Sequence, residues 1–507
     1  MGFGFSKVWE GAIWENRAHP VSVEGYWIRS KPAVCEVCRR ERTGLIAGGR
    51  QMQNTFSVAA RLERLPISRF HRRFIALVSL GEWFDMYDLF MVAYLGAAWQ
   101  HSGFLSLHQF SQLIAAGFLG MFIGTISFGI GSDHMGRRSA FIVMLLIYSA
   151  FTLLGALAPS AAWLTVARFF AGIGIGAEIV VIDTYVSEMT PSHARGRFVA
   201  ITQVAGFTAV PTVALLARIL VPTHFLISGW RWVMVFGAAG ALLAWYLRLS
   251  LPESPRWLES MNRIAEAEKI VETLEDELNA SKIQTQPTKS ISPDSLSAAA
   301  STGRRLRLIQ LGELWNRRYR KRTLMLVMFQ ALQTLGFYGF ANWAPTFLLK
   351  RGIGLLHSLD YSLLIALIAP VGPLIASFTA DRLERKWTIL GLALSIAASG
   401  LGFALWRSPV MIVASGALVT LCTNWFSAVF HSYQSELFPT RIRATGVGFT
   451  YSWSRLSAAL SAFLIAAVLR HGVTPVFAVL AAAMVGVAVV IAFGPETNRK
   501  SLEELSP

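Results

Sequence analysis

Long stretches of the chain carry no charged side chain. No Lys, Arg, Asp or Glu lies between Asp88 and Asp133. Four further charge-free runs cover 139–167, 198–217, 323–349 and 387–406. Runs longer than roughly 18 apolar residues are typical of helices that cross a lipid bilayer. Because backbone polar groups in lipid must pair within their own segment, we expect these spans to be α-helices.

The apolar segments predict twelve spans in two sets of six, which we number 1 to 12 along the chain. The first set lies near 74–95, 110–131, 139–157, 162–186, 198–221 and 231–250. The second set lies near 323–348, 358–380, 387–407, 409–433, 443–469 and 473–494. The predicted fold class is therefore an all-α membrane protein with twelve transmembrane helices in two six-helix halves.

A polar stretch between spans 6 and 7 begins with a helix-like run rich in Glu and Ala, and continues as a Ser-, Thr- and Pro-rich linker. The predicted segments are an N-terminal segment 1–73, a first half 74–250, a central loop 251–322, a second half 323–494 and a tail 495–507. Residues 1–51 lack helical periodicity, so we expect them to be disordered and to be a mistaken upstream extension of the reading frame. A regulatory tail is the alternative.

Basic residues concentrate in alternate loops. The loops after spans 2, 4, 8 and 10 are rich in Lys and Arg, whereas those after spans 1 and 3 carry none. Lys and Arg collect in cytoplasmic loops, so both termini and the central loop are expected to be cytoplasmic. The predicted location is a multi-pass position in a bacterial inner membrane.

Two loops of the first half recur in the second half at a constant spacing. Asp133 and Asp381 are 248 residues apart, and so are Glu188 and Glu436. The same offset relates Tyr185 to Tyr433, Pro191 to Pro439 and Arg195 to Arg443. One offset shared by two loops indicates an internal duplication. Two six-span halves related in this way place a solute site at their interface, near the bilayer midplane.

Composition narrows the function classes. The chain is 54% hydrophobic and 15% charged, with a net charge of +16. The basic residues flank the spans and form no soluble domain, so membrane topology explains them better than nucleic-acid binding does. Three cysteines are too few for a disulfide framework, and the Cys35–Cys38 pair lacks the further ligands of a zinc site. We expect no metal and no cofactor.

The loop after span 2 reads GIGSDHMGRR from Gly129, and its counterpart after span 8 reads SFTADRLERK from Ser377. Both resemble the loop signature of the major facilitator superfamily, although His134 stands where Arg is usual and Ser377 where Gly is usual. The pattern sets an acid at a helix end against a cationic cluster, forming ion pairs that break when the halves rock. We expect such gating pairs among Asp133, Arg137, Arg138, Glu188, Arg195, Asp381, Arg382, Arg385, Glu436 and Arg443.

Further motifs narrow the resemblance, which covers roughly residues 60 to 504. PESPRWL from Pro252 and PETNRKSLEE from Pro495 resemble the sugar-porter-like branch of the superfamily. The FDMYD sequence at 84–88, the GAE sequence at 176–178 and Ser454-Arg455 resemble bacterial niacin transporters, aromatic acid:proton symporters and synaptic vesicle glycoprotein 2. The resemblance implies the major facilitator fold and a transport function.

Acidic residues inside spans are candidates for proton coupling. Span 1 carries Glu82, Asp85 and Asp88 at a spacing of three, and span 4 carries Glu178. An ionisable group inside a span costs about 2.5–3.5 kcal/mol on insertion scales, so such groups are functional by default. A carboxyl held away from water beside other acids favours its protonated form, as a proton carrier requires. A structural ion pair with a basic group of span 4 or 11 is the alternative.

Arg455 lies near the middle of span 11 and suits a bidentate contact with a substrate carboxylate. The alternative is an internal pair with one of the acids. Aromatic walls with a few polar groups suit a flat organic ligand. The remaining predicted substrate residues are Asn342, Trp343, Asn424, Trp425, Tyr451 and Trp453.

The leading interpretation is proton-coupled uptake of a small organic anion, such as an aromatic or related monocarboxylate, by alternating access. A sugar or polyol carrier is the alternative. Efflux of drugs or organic cations fits Arg455 less well, and a non-transporting sensor would be expected to carry a folded signalling domain. No set of nucleophile, base and acid indicates an enzyme. The expected partners are a small-molecule substrate, protons and membrane lipid, with no nucleic acid, and the chain is expected to act as a monomer.

Overall fold

A computed structural model describes residues 58–280, 312–379, 382–438 and 442–497 of the chain. The predicted disordered segment 1–51, most of the Ser-rich linker and Asp381 lie outside these residues. Before the spans comes a short helix, Val58–Glu63. The helices of the first half are Arg69–His101, Leu107–Met135, Arg137–Ala156, Ala161–Met189, Ser192–Phe207, Ala209–Leu220 and Gly229–Arg248. Two further helices, Pro255–Ser260 and Ile264–Ala280, follow span 6.

The second half repeats this plan with more interrupted helices. Its helices are Arg320–Ala341, Ala344–Lys350, Leu355–Ala366, Val371–Thr379, Arg385–Leu405, Pro409–Glu436, Arg443–Leu469 and Val473–Ala492. Spans 5, 7 and 8 are each made of two helices, and each break lies just before or at a proline: Pro211, Pro345 and Pro370. Proline lacks an N–H and disfavours helical geometry in the preceding residue, which explains the position of these breaks.

In the described part, ten helices or helix pairs are long and apolar enough to cross a membrane. Spans 1 and 4 complete the twelve. Span 1 is the longest helix of the described chain, at 33 residues, but the acids in its interior lower its hydropathy. Span 4 has 29 residues, of which Ala161–Gly176 form the apolar part. A two-stranded hairpin, His224–Phe225 with Ile227–Ser228, joins spans 5 and 6 and was not predicted.

The segment before span 1 packs against the segment after span 6. Leu62 and Leu65 are buried together with Trp257, Val271 and Leu274. Two ion pairs fasten this small cluster: the Arg61 guanidinium lies 2.7 Å from Glu275, and Arg256 lies 2.5 Å from Glu63. The hydrogen bond from Arg61 to Glu275 raises the pKa of the guanidinium.

We call the end of the bundle where span 1 begins the terminal side, and the opposite end the far side. Span 2 packs along span 11, and span 5 packs along span 8, so these four spans form the seam between the halves. On the far side, Arg218 of span 5 forms an ion pair with Asp360 of span 8. Nearby, the Gln100 side-chain nitrogen donates to the Thr346 hydroxyl across the seam at 3.1 Å. The halves therefore touch through polar contacts on the far side.

Candidate substrate and proton sites between the halves

The three acids of span 1 are all buried: Glu82 is 5% exposed, Asp85 2% and Asp88 0%. Asp88 lies against Arg168 of span 4, whose second terminal nitrogen donates to the Asp88 carbonyl at 3.2 Å. The Thr152 hydroxyl donates to the other carboxylate oxygen of Asp88 at 3.1 Å. The structure thus gives Asp88 the arrangement stated above as the alternative, an ion pair with a basic group of span 4.

Asp85 and Glu82 lie one and two turns nearer the terminal side than Asp88. Glu82 faces span 5, where a side chain added at Gly206 would come within 3.2 Å of its Cγ. Glu178, the predicted acid of span 4, lies in a helix, but its side chain is outside the described part of the chain. The proton-coupling roles of these acids remain predictions.

Arg455 is buried between two tyrosines of the second half, with 1% of its surface exposed. One terminal nitrogen donates to the Tyr338 hydroxyl at 2.5 Å and the other to the Tyr451 hydroxyl at 2.7 Å. Within the described residues, Arg455 has no carboxylate partner. The guanidinium charge is therefore held by neutral groups.

Tyr338 was missed by the sequence analysis. It lies on span 7, one helical turn before Asn342, and that spacing was the available signal. Its ring packs against Phe118 of span 2 with centroids 4.6 Å apart, so it also reaches across the seam. The Tyr338 hydroxyl, which accepts a hydrogen bond from Arg455, has a proton of its own to donate.

The other predicted substrate residues are more scattered. Asn424 donates to the Ala369 carbonyl, at the break in span 8, at 2.9 Å. Trp425 donates to the Thr379 hydroxyl at 3.1 Å, and Trp343 packs its ring 5.0 Å from that of Phe110. Asn342 is 3% exposed, whereas Trp453 is 40% exposed. Trp343 and Asn424 thus have structural contacts of their own.

A cavity of about 50 Å³ lies between the halves on the far-side half of the seam. Aromatic side chains line it from both halves, and Asn424 belongs to its wall. The aromatic and hydroxyl-bearing residues of the lining are Phe90, Tyr94, Phe337, Phe340, Ser362, Thr420 and Thr423. Phe337 is in edge contact with Tyr338, 4.8 Å between centroids, which connects the cavity wall to the Arg455 site.

A run of amide side chains beside the Arg455 site was also missed. Gln333 donates to Gln330 at 3.0 Å, Gln330 donates to Gln434 at 3.1 Å, and the Gln434 nitrogen lies 3.1 Å from His431 Nδ1. The His431 ring keeps an exposed face and lies 5.8 Å from the ring of Tyr451. Polar residues at helical spacing in spans 7 and 10 were the sequence signal that could have predicted this run.

The predicted loop residues form matching pairs on the terminal side of each half. Arg137 lies 3.2 Å from Glu188, and Arg385 lies 2.9 Å from Glu436, so the repeat offset of 248 holds for both members. Arg138 donates to the Leu249 carbonyl at 2.7 Å, and Arg382 is exposed. Asp133, Arg195 and Arg443 lie in helices whose side chains here are outside the description, as is all of Asp381.

Glu253 of the PESPRWL motif is bound to the same loop. Its carboxylate accepts from the backbone N–H groups of Arg137 at 2.8 Å and Arg138 at 3.0 Å, the first residues of span 3. Negative charge at a helix N-terminus is favourable. Gly136 precedes these residues with a φ of 95°, and a Cβ there would lie 2.3 Å from Glu253 Oε2. Only glycine fits this position.

Comparison with known proteins agrees with this architecture. Residues 74–507 match the family described as "Sugar (and other) transporter". The chain is 30% identical over 456 residues to the putative metabolite transport protein YyaJ of Bacillus subtilis (strain 168), covering 88% of this chain and 97% of that protein. It is 29% identical over 451 residues to the niacin transporter NiaP of Acinetobacter baylyi, covering 88% and 99%.

Among solved structures, the fold resembles the partially occluded inward-open conformation of the xylose transporter XylE from E. coli. The TM-score is 0.69 at 19% identity, over 86% of this chain and 100% of that one. This likeness confirms the predicted fold class. Together with the family match over residues 74–507, it identifies a multi-pass membrane transporter of the major facilitator superfamily. Within it, the chain belongs to the sugar (and other) transporter family.

Proposed function

We propose that the chain carries out proton-coupled uptake of a small organic anion, such as an aromatic or related monocarboxylate, by alternating access. The observation that carries the proposal is Arg455, a buried cation that meets two tyrosine hydroxyls and, in the described part of the chain, no carboxylate. A buried charge is costly unless a partner of opposite sign is supplied. A carboxylate substrate would supply it.

The aromatic cavity supports a ring-bearing substrate. Phe337 lines the cavity and touches Tyr338, which is one of the two hydroxyl partners of Arg455. An aromatic monocarboxylate could thus place its charge at the tyrosines and its ring along the aromatic wall. The named activity of one relative, niacin transport, concerns a molecule of this class.

Protons are assigned to the acids of span 1 and to Glu178. Glu82, Asp85 and Asp88 are all buried, as proton carriers within a span would be. Asp88 can take a proton only when its pair with Arg168 opens, which links its protonation to a movement of span 4. Inward proton flow would then drive uptake of the anion across a bacterial inner membrane, with both termini cytoplasmic.

The terminal-side loops are assigned to gating. Arg137–Glu188 and Arg385–Glu436 each join two spans within one half, and neighbouring loop residues extend both clusters. The side chains of both pairs are 11–22% exposed, so water still reaches them and the pairs can break and re-form during each cycle.

A sugar or polyol carrier is the second candidate, because the family description names sugars and the fold resembles a xylose transporter. The test uses purified protein in liposomes with an imposed pH gradient, inside alkaline. Accumulation of nicotinate or benzoate, and none of xylose or inositol, is expected. Accumulation of a sugar alone would overturn the organic-anion proposal.

A further inference from the structure

The side-chain amides of the run beside the anion site all donate their hydrogen bonds in the same direction. In each link the side-chain NH₂ of one glutamine donates to the carbonyl oxygen of the next, from Gln333 through Gln330 to Gln434. The last NH₂, that of Gln434, faces His431 Nδ1. Nδ1 is therefore an acceptor, and the neutral ring carries its proton on Nε2.

The same atoms allow one other arrangement. If His431 gains a proton on Nδ1, that nitrogen becomes a donor and needs an oxygen opposite it. Gln434 then turns its amide, which requires Gln330 and Gln333 to turn theirs. The contacts along the run are re-formed with the opposite polarity, while Gln333 gives up its bond to the Thr334 hydroxyl at 3.2 Å, so the run has two discrete states that differ by that bond.

The position of His431 places it within the field of the anion site. Its ring is exposed, whereas Gln330 and Gln434 are buried. Span 11 contributes the titratable groups next to the ring, Tyr451 and, behind it, Arg455. Span 7 and the rest of span 10 contribute the neutral amides to this side of the ring.

We propose that His431 takes up a proton from solvent when an organic anion binds at Arg455, and that the amide run reverses with it. This rests on the anion site proposed above. With the site empty, the packed protein around the ring disfavours a charge on His431, and Arg455 repels a second positive charge nearby. A bound carboxylate cancels that repulsion. Anion binding and protonation of His431 therefore favour each other, by the reciprocity of linked equilibria. The second half gains a proton site separate from the acids of span 1.

The test measures proton uptake on binding. Nicotinate is titrated calorimetrically into the purified protein near pH 7, in buffers with different ionisation enthalpies. The slope of the binding enthalpy against buffer enthalpy gives the protons taken up per nicotinate. We expect His431→Gln to take up about one proton fewer than the native chain, because a glutamine oxygen replaces Nδ1 but cannot titrate. The matched control is His357→Gln, at an exposed histidine beside Tyr361 on span 8, which should not change uptake.

A second variant guards against loss of folding. In Gln434→Glu, the new carboxylate accepts from Nδ1–H and keeps His431 protonated before the anion arrives, so uptake should again fall by about one proton. Native-like uptake in either folded variant would overturn the proposal. Failure of the proposed function is visible elsewhere, as absent accumulation of nicotinate and benzoate by the native chain in liposomes.

Discussion

At the scale of single residues, two buried arginines, one in each half, are held in opposite ways. Arg168 meets the carboxylate of Asp88, whereas Arg455 meets only hydroxyls among the described residues. A guanidinium already paired with a carboxylate has little charge left for a ligand, and one held by phenols keeps it. This contrast supports the proposal that the first half carries protons and the second half binds the anion.

Arg455→Lys should weaken nicotinate binding. A lysine places one point charge where a planar fork reached two hydroxyls. Loss of one charged hydrogen bond costs about 1.5–3 kcal/mol, equivalent to roughly tenfold to a hundredfold in affinity. Calorimetric titration measures the change, with Arg351→Lys, on a loop of the far side, as the control. Unchanged affinity in Arg455→Ala would remove Arg455 from the substrate site.

Asp85→Asn and Asp88→Asn should each abolish pH-driven accumulation of nicotinate while the protein still inserts and expresses. The amide keeps the shape of the carboxyl but carries no titratable proton. Counterflow of nicotinate without a pH gradient should persist in Asp85→Asn. Normal uphill transport in both variants would end the assignment of span 1 as the proton path.

Asp88→Asn should also lower the stability of the protein, so its effect on stability can be measured separately from its effect on coupling. Removing one member of a buried pair leaves Arg168 uncompensated, at about 3–5 kcal/mol. Its apparent Tm should therefore fall further than that of Asp85→Asn. Pairing Asp88→Asn with Arg168→Gln should recover Tm without recovering coupling.

At the scale of elements, the start of span 3 depends on a single backbone conformation. Gly136 turns the chain with positive φ so that the first N–H groups of the helix point at the carboxylate of Glu253. That carboxylate belongs to the segment after span 6. The loop signature and the PESPRWL motif are therefore parts of one contact, although the chain separates them by the length of four spans.

Gly136→Ala should destabilise the protein. The added Cβ would lie 2.3 Å from Glu253 Oε2, in a conformation that L-residues avoid at about 1–3 kcal/mol. Thermal unfolding in detergent measures the loss. Gly131→Ala is the matched control, because Gly131 lies in the preceding helix with open space around it and alanine favours a helix there. Equal Tm in the two variants would show that the turn is not strained.

Charge-free runs predicted most of these elements, because a membrane helix must be both long and apolar. They could not predict the breaks at Thr208 and Asn342, where local proline chemistry acts within an otherwise apolar span. Arg455 was found because a charge inside a span stands out. Tyr338 and His431 were missed because a tyrosine or histidine in a span is ordinary until its neighbours are known. The partner of Asp88 likewise depends on how spans 1 and 4 pack.

At the scale of the whole molecule, the halves meet on the far side through Arg218–Asp360 and Gln100–Thr346. Both contacts are polar and reach across the seam, next to the buried ring contact of Trp343 with Phe110, so opening the far side breaks two polar contacts and also exposes aromatic surface. In the proposed orientation this is the outside. Opening there, followed by re-closing, is the movement that alternating access requires.

Asp360→Arg should open the far side. Repulsion from Arg218 replaces attraction, and an exposed pair contributes up to about 1 kcal/mol, so a change of about fivefold or more is expected. The readout is the labelling rate of Ser362→Cys by a membrane-impermeant maleimide, in a chain whose native cysteines are replaced by serine. Swapping both charges, Arg218→Asp with Asp360→Arg, should restore slow labelling. Equal rates in all three chains would contradict a closing role for the pair.

The cluster that joins the segment before span 1 to the segment after span 6 bears on how the protein is made. The ion-pair partner of Arg61 lies on the helix Ile264–Ala280, and that of Glu63 lies on the helix Pro255–Ser260. Those partners leave the ribosome before any span of the second half is synthesised. The first half can therefore be fastened at both of its ends while translation continues, because domains fold in the order of their synthesis. A nascent chain halted after residue 280 has left the ribosome should already resist proteolysis within 58–65, and one halted before Ile264 should not.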